Sequence, residues 1–310
     1  MFEITGFEKQ HIEEAKKLAL MNYHEERAIV CELPEVGDVP GLEYFANNGL
    51  GVVMYDGGKL LGFLCCNPWE NAFNTGAKGA FSPIHAHGAA AMDRGVIYQK
   101  MYRAAAKKWV GNGIAYHAVA LYAHDTQAVN AFFQYGFGLR CMDAVRSMAN
   151  IECASTCDGI FFVELKKDEA IQIRKMRKLL ATHMAESPCF MGTPSDWLNR
   201  VEKRDSRLFV ATVEKIPVAY VEVMENGENF ATETVGMKNI CGAFCEPDHR
   251  GKGVMRGLLN HVVSELRSQG VSRLGVDFES FNPEARGFWL KYFTAYTNSV
   301  ARRIDVARTY

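Results

Sequence analysis

The apolar positions of this chain change period repeatedly along its length, and the same order of changes occurs twice. Gln10 to Glu26 reads as a helix with one apolar face. Gly51 to Cys65 reads as two strands about the turn residues Asp56-Gly57-Gly58, a strong hairpin signal. A third strand, a long helix, a strand and a short helix follow. The second half starts the same way, with a helical pattern from Glu169 to Glu186 and a hairpin from Leu208 to Met224 turning at Glu214 to Pro217. An apolar run from Ile240 to Cys245 then ends at Pro247, a long amphipathic helix follows, and Arg273 to Phe278 reads as the next strand. Strands that alternate with helices predict a mixed α/β sheet in each half.

The repetition extends to residues. The segment beginning at Trp109 aligns with the one beginning at Leu266: Gly113 with Gly270, Asp125 with Asn282, Ala128 with Ala285 and Phe132 with Trp289, always at an offset of 157. That is half of a 310-residue chain, so a tandem duplication is the better account. The expected domains are residues 1–155 and 156–310. The join falls between Asn150 and Gly159, just before the apolar strand Ile160-Phe161-Phe162-Val163.

The sharpest chemical signal is the turn Arg250-Gly251-Lys252-Gly253-Val254-Met255, which lies between the Ile240–Cys245 run and the long helix. Strand, glycine-rich turn and helix N-terminus together make a phosphate cradle. Backbone N–H groups face the anion, the helix adds the positive end of its dipole, and glycines allow close approach. Arg250 and Lys252 add charge. The plain alternative is a connecting turn with a basic rim. A nucleotide phosphotransferase fits poorly, because Lys252 is followed by Gly253 and no Ser or Thr is placed for Mg²⁺.

This turn resembles motif A of the GNAT superfamily, the GCN5-related N-acetyltransferases, which reads Arg/Gln-x-x-Gly-x-Gly/Ala. Arg250 and Gly253 fill two fixed positions, and Met255 departs from the third. Downstream, Asn282-Pro283-Glu284-Ala285-Arg286-Gly287-Phe288-Trp289 resembles motif B, Asn-x-x-Ala-x-x-Phe-Tyr. The resemblance is strong over residues 160–310. It implies a mixed α/β fold of two tandem GNAT-like domains, with acetyl-CoA as cosubstrate and no metal. The backbone at Phe244 and Cys245 is then expected to bind the pantetheine arm. Arg250 to Met255 is expected to hold the pyrophosphate, with Asn282 and Trp289 beside the cofactor. Asn282 is equally well placed as a helix N-cap.

The resemblance also implies the reaction: direct attack of a primary amine on the thioester in a ternary complex. Many relatives place a tyrosine where this chain has Trp289, so Tyr292, one helical turn on, is the candidate substitute proton donor, alternatively a core-packing residue. Glu246 and Glu222 are the candidate bases or amine anchors, each alternatively a surface carboxylate. The departures at Met255 and Trp289 keep open a non-catalytic acyl-CoA sensor. In the first half the turn's counterpart reads FSPIHAHGAAAMDRGVIYQKMY, where Ile97 stands in place of the second glycine. The Gly88-Ala-Ala-Ala run is an alternative small-residue turn. This half is expected to be degenerate.

Composition adds limits. Hydrophobic residues make up 48% and charged residues 23%, as in globular enzymes. A net charge of -1 gives no reason to expect nucleic acid or an anionic membrane as a partner. No apolar run has the length of a membrane span and the N-terminus is unlike a signal peptide, so a cytoplasmic location is expected. Nine cysteines without CxxC pairs read as small buried hydrophobes. His85-Ala86-His87 has no third metal ligand nearby. The acceptor is expected to be a small-molecule or peptide amine, and the chain a monomer or homodimer. The resemblance also implies that the stretch SPCFMGTPSDWLNR lies over the cofactor and walls the acceptor pocket; core packing explains its Phe190, Met191 and Trp197 equally well.

Overall fold

The structure, a computed structural model, describes residues 2–152 and 159–305. Cys153, Cys157 and most of the expected join lie outside the described residues. The chain forms two compact units, and neither is one continuous half. The first comprises residues 1–142, 229–231 and 295–310, and the second 143–228 and 232–294.

In the first unit β1 (Phe2–Gly6), β2 (Val52–Asp56), β3 (Lys59–Leu64) and β6 (His87–Ala89) form one antiparallel sheet in the order β1-β2-β3-β6. Gly57 and Gly58 both take positive φ at the β2–β3 turn, as the Asp-Gly-Gly signal requires. A second group of strands, β4 (Asn67–Trp69), β5 (Gly79–Ser82) and β7 (Tyr116–Tyr122), runs in the order β4-β5-β7. The helices are α1 (Ile12–Ile29), α2 (Glu43–Asn47), α3 (Arg94–Gly111) and α4 (Thr126–Gln134). One core packs α1 and α2 through Ala15, Leu18 and Phe45 against Val53 and Phe63. The other packs α3 and α4 through Met101, Trp109 and Phe132 against Met54, Val119 and Leu121. β8 (Gly138–Ser147) begins in this unit and ends in the second. The strand that completes the first unit comes from the far end of the chain.

In the second unit β9 (Ile160–Leu165), β10 (Arg207–Val213), β11 (Ile216–Met224), β12 (Met237–Cys245) and β13 (Arg273–Glu279) lie in the order β13-β12-β11-β10-β9. The β10–β11 hairpin turns at Glu214 and Lys215, both at positive φ. The helices are α5 (Arg174–Ala185), α6 (Trp197–Glu202), α7 (Val254–Ser268) and α8 (Pro283–Trp289). α7 buries Leu258, Leu259, Val262, Val263 and Leu266 at helical spacing. α5 covers the opposite sheet face, where Met176 meets Leu208, Val210, Tyr220 and Phe244. The chain then returns to the first unit through β14 (Thr294–Ala295) and β15 (Thr297–Arg303). All seven residues of β15 pair antiparallel with β7, and its middle residues, Ser299 to Ala301, also pair with the start of β8.

Three histidines of the first unit, His85, His87 and His117, have pKa values pushed down to about 4, chiefly by burial. They are neutral when folded and take up protons near pH 6.5 when unfolded. Their stabilising contribution is therefore complete above about pH 6.5 and is lost as pH falls toward 4. At ~1.4 kcal/mol per pH unit this is about 3 kcal/mol per histidine. Burial raises the Glu26 carboxyl, which offsets part of the loss. Hydrogen-exchange protection of α3 amides is expected to fall steeply between pH 7 and pH 5. His87→Gln should make that dependence shallower.

Candidate active-site cleft of the second unit

β12 is the element around which the cleft forms. Met237 to Ile240 pair in parallel with Arg273 to Val276 of β13, and among the described residues the ladder stops there. β12 continues beside β11 alone, with a register shift that leaves Cys241 as the extra residue before Gly242 pairs with Glu222. Such a bulge bends a strand away from its neighbour. The two strands part, and a cavity of about 560 Å³ opens along Ala243, Phe244 and Cys245, the following turn and α8.

The turn has the geometry its sequence calls for. Gly251 and Gly253 sit at φ 71° and 81°, in the left-handed region where a Cβ is strained. Nothing lies within 4 Å of where a Cβ on Gly251 would stand. Gly253 is the N-cap of α7, so the helix N-terminus faces the cavity. Basic side chains gather there as well: His249, Arg250 and Arg256 line the cleft. The Arg256 Nε is buried without a partner among the described residues, as expected of a donor kept for an anion. The Arg250 Nε donates to the Cys245 carbonyl at 2.9 Å, and the guanidinium lies 5.3 Å from the Phe244 ring centre.

The predicted cofactor residues Phe244, Cys245, Arg250, Gly251, Gly253, Val254, Met255, Asn282 and Trp289 all line this one cavity. Lys252 is the exception: it is exposed on the turn and does not line the cleft. Asn282 is buried and caps α8, its Oδ1 accepting from the Ala285 N–H at 3.2 Å. Asn282→Ala should therefore cost about 1 kcal/mol of stability. Thermal unfolding beside acetyl-CoA titration separates that loss from any loss of ligand contact. Trp289 is buried against Phe293, with ring centres 5.5 Å apart. Tyr292 lines the cleft and is half-buried.

The two carboxylates chosen from sequence are placed differently from the expectation. Glu246 does not line the cleft; it is half-buried, 3.6 Å from the Lys175 ammonium. Glu222 is no surface carboxylate. It is 2% exposed, pairs with equally buried Arg177 at 3.0 Å and accepts from the Ser206 hydroxyl at 2.7 Å. Phe190, Met191 and Trp197 do not line this cleft, and Phe190 is 75% exposed.

Sequence reasoning missed His183, Arg256, Lys291 and Asp277. The first three line the cleft, and His183 Nε2 lies 3.5 Å from Asn282 Oδ1. Asp277 follows Val276, the last residue paired across the fork. Burial, and then the charges of Glu228, Asp143 and Glu279, hold its carboxyl well above the usual range. The Cys245 thiol in the cleft is pushed up to about 11, chiefly by burial, so it is not a thiolate at neutral pH.

The corresponding region of the first unit is filled by its own side chains. There β5 pairs with β7 as far as Val119, and β6 pairs with β3, so the fork is present. His87 spans it: its Nε2–H donates to the Ala120 carbonyl at 2.6 Å and the Tyr98 hydroxyl donates to its Nδ1 at 2.8 Å. The Asn22 amide takes both the N–H and the C=O of Ala89. The segment expected to form the phosphate turn is helical from Arg94, with Asp93 as a left-handed N-cap at φ 53°. Arg94 points inward between Glu25 (2.7 Å) and Asp125 (3.2 Å). Gly88 lies in β6, so the small-residue run is part strand rather than turn.

With this geometry in view, comparison with known proteins decides the family of one segment. Residues 174–293 match the family model described as acetyltransferase (GNAT) family. The match spans α5 to α8 and contains the whole cleft lining. No curated protein sequence matches the chain. Among solved structures, a GCN5-related N-acetyltransferase from Sphaerobacter thermophilus matches at a TM-score of 0.58 and 12% identity, over 97% of this chain and 95% of that one. A fungal multi-domain GH3 β-N-acetylglucosaminidase with a GCN5-related glucosamine N-acetyltransferase region matches at 0.55 and 12%, over 97% of this chain but only 38% of that one. At such identity the likeness shows the fold alone. The fold is mixed α/β, and these GCN5-related structures align with nearly the whole chain, consistent with two GNAT-like domains. Among the described residues, no group of three or more His, Cys, Asp or Glu is arranged to hold a metal ion, and no helix is long and apolar enough to cross a membrane.

Proposed function

We propose that the second unit binds acetyl-CoA in the cleft beside β12 and transfers its acetyl group to a primary amine, and that the first unit is a duplicated copy that binds no acetyl-CoA. The observation that carries this reading is the coincidence, on one cavity, of the parted β12–β13 ladder, the left-handed glycine turn at the α7 N-terminus and the Asn282 cap. Gly251, Gly253 and the first N–H groups of α7 would hold the pyrophosphate, with Arg250 and Arg256 neutralising charge. The open edge of β12 at Phe244 would take the pantetheine arm as a strand takes a neighbour.

Acetyl-CoA supplies the activated carbonyl. The amine lone pair forms the C–N bond, the C–S bond breaks, and the sulfur leaves with that electron pair. This chain must then accept one proton from the amine and supply one to the sulfur. Asp277, one residue past the last β12–β13 pair, would in its ionised form accept the first. The Tyr292 hydroxyl, which lines the cleft, would donate the second. The first unit fails as a cofactor site because His87, Asn22 and Arg94 already occupy the groups a cofactor would use.

The test is release of CoA thiol from acetyl-CoA across a panel of primary amines. Turnover is expected, and Asp277→Asn should lower kcat about 100-fold with little change in acetyl-CoA affinity. Acetyl-CoA binding without turnover of any amine would contradict acetyl transfer.

A further inference from the structure

Arg177 and Glu222 form a pair whose geometry is incomplete. Both are 2% exposed, and Arg177 Nη2 meets Glu222 Oε2 at 3.0 Å. Glu222 is well satisfied, since Ser206 donates to its other oxygen. Arg177 is not: its Nε and Nη1 are buried with no partner among the described residues. A buried guanidinium that leaves donors unmade carries a desolvation cost that a Met or Leu at the same place would avoid. Charge neutrality alone does not explain it, because one carboxylate already balances the charge.

The pair stands beside the cleft without lining it. Glu222 is the ladder partner of Gly242, and a side chain at 242 would come within 3.2 Å of Glu222 Oε2 and 3.7 Å of the Tyr220 ring. Glycine at 242 gives the Glu222 side chain room against β12. The next residue, Ala243, lines the cleft, as does Leu180, one helical turn beyond Arg177 on α5. His183, at the cofactor end of the same helix, is six residues or about 9 Å away. The pair thus lies toward the parting point of β12 and β13 and away from the cationic turn. In the mechanism proposed above, the acceptor amine approaches there.

We propose that Arg177 is an acceptor-binding residue and that the acceptor is an amino-carboxylate: a small molecule with a primary amine to be acetylated and a carboxylate that takes the free Arg177 N–H groups. Glu222, braced by Ser206, holds the guanidinium in place. A guanidinium suits this task because its planar donors match a carboxylate. The proposal names the substrate class for the proposed acetyl transfer and rests on that reading.

The experiment compares matched pairs, each an amino acid and its decarboxylated amine: lysine with cadaverine, phenylalanine with phenethylamine. CoA thiol release is followed after acetyl-CoA binding has been measured on the same full-length protein. The wild type is expected to favour the carboxylate member of at least one pair by about 100-fold in kcat/KM, as a site built to hydrogen-bond a group rejects the analogue that lacks it. Arg177→Met should bring the two members within a few-fold. The charge-balanced double variant Arg177→Met with Glu222→Leu should do the same with acetyl-CoA affinity kept, which guards against misfolding caused by an unpaired buried Glu222. Equal use of both members by the wild type, a preference that survives in the double variant, or no turnover of any carboxylate-bearing amine by protein that binds acetyl-CoA overturns the proposal. Failure of the wild type to bind acetyl-CoA instead overturns the reading beneath it.

Discussion

A chain ended after Thr294 is expected to lose its first unit and keep its second. β15 supplies the first unit with a strand paired along the full length of β7. Val300 is fully buried in the core that holds Trp109, Val119, Leu121 and Phe132, and Thr297 is fully buried too. Burial of a valine contributes about 2 kcal/mol, and each net ladder hydrogen bond about 1 kcal/mol. A seven-residue strand therefore contributes several kcal/mol, comparable with the whole stability of a typical domain. Its loss would also expose the central strand β7, whose residues 117–122 are all buried. Hydrogen exchange resolved by segment checks this. α3 and β7 should lose protection, while α7 and β11 keep theirs. Retained protection in α3 would show that β15 is dispensable. By the same reasoning residues 1–155, expressed alone, should not fold, since they lack β15.

Replacing Gly253 with Val is expected to remove measurable acetyl-CoA binding while the second unit stays folded. The residue sits at φ 81°, where a β-branched side chain is strained by roughly 1–3 kcal/mol. That is too little to unfold a domain of ordinary stability and enough to displace a turn whose N–H groups must all face one anion. A fall in affinity of 100-fold or more is expected by calorimetry, with the far-ultraviolet circular dichroism unchanged. Gly251→Ala is the graded control. Its φ is also positive, but the space around it is open, so a smaller loss is expected. Wild-type affinity in the valine variant would remove the turn from the binding site.

The features legible in the sequence were those set by short-range chemistry. Asp56-Gly57-Gly58 dictated its hairpin because only certain residues tolerate positive φ at both turn positions. The Arg250–Gly253 turn was legible for the same reason, and Asn282 because a cap must stand next to the helix it caps. What stayed hidden depended on distant partners. Nothing local in Thr297–Arg303 says that it pairs with β7, some 180 residues earlier. Arg177 and Glu222 lie 45 residues apart, and nothing local to either says that they pair. Asp277 looked like an ordinary strand residue until the end of the β12–β13 ladder showed where the strands part. The offset that aligned the two halves also misplaced one feature. α3 begins about a turn earlier than the repeat implies, so Arg94 to Ile97 are helix and not phosphate turn.

The central claim is one acetyl-CoA site per chain, in the second unit. Calorimetric titration of the full chain with acetyl-CoA tests it most directly. The account predicts a stoichiometry of one, lost in the Gly253→Val variant. Two sites would mean that the fork bridged by His87 opens to ligand, and no binding would contradict the assignment of the cleft itself.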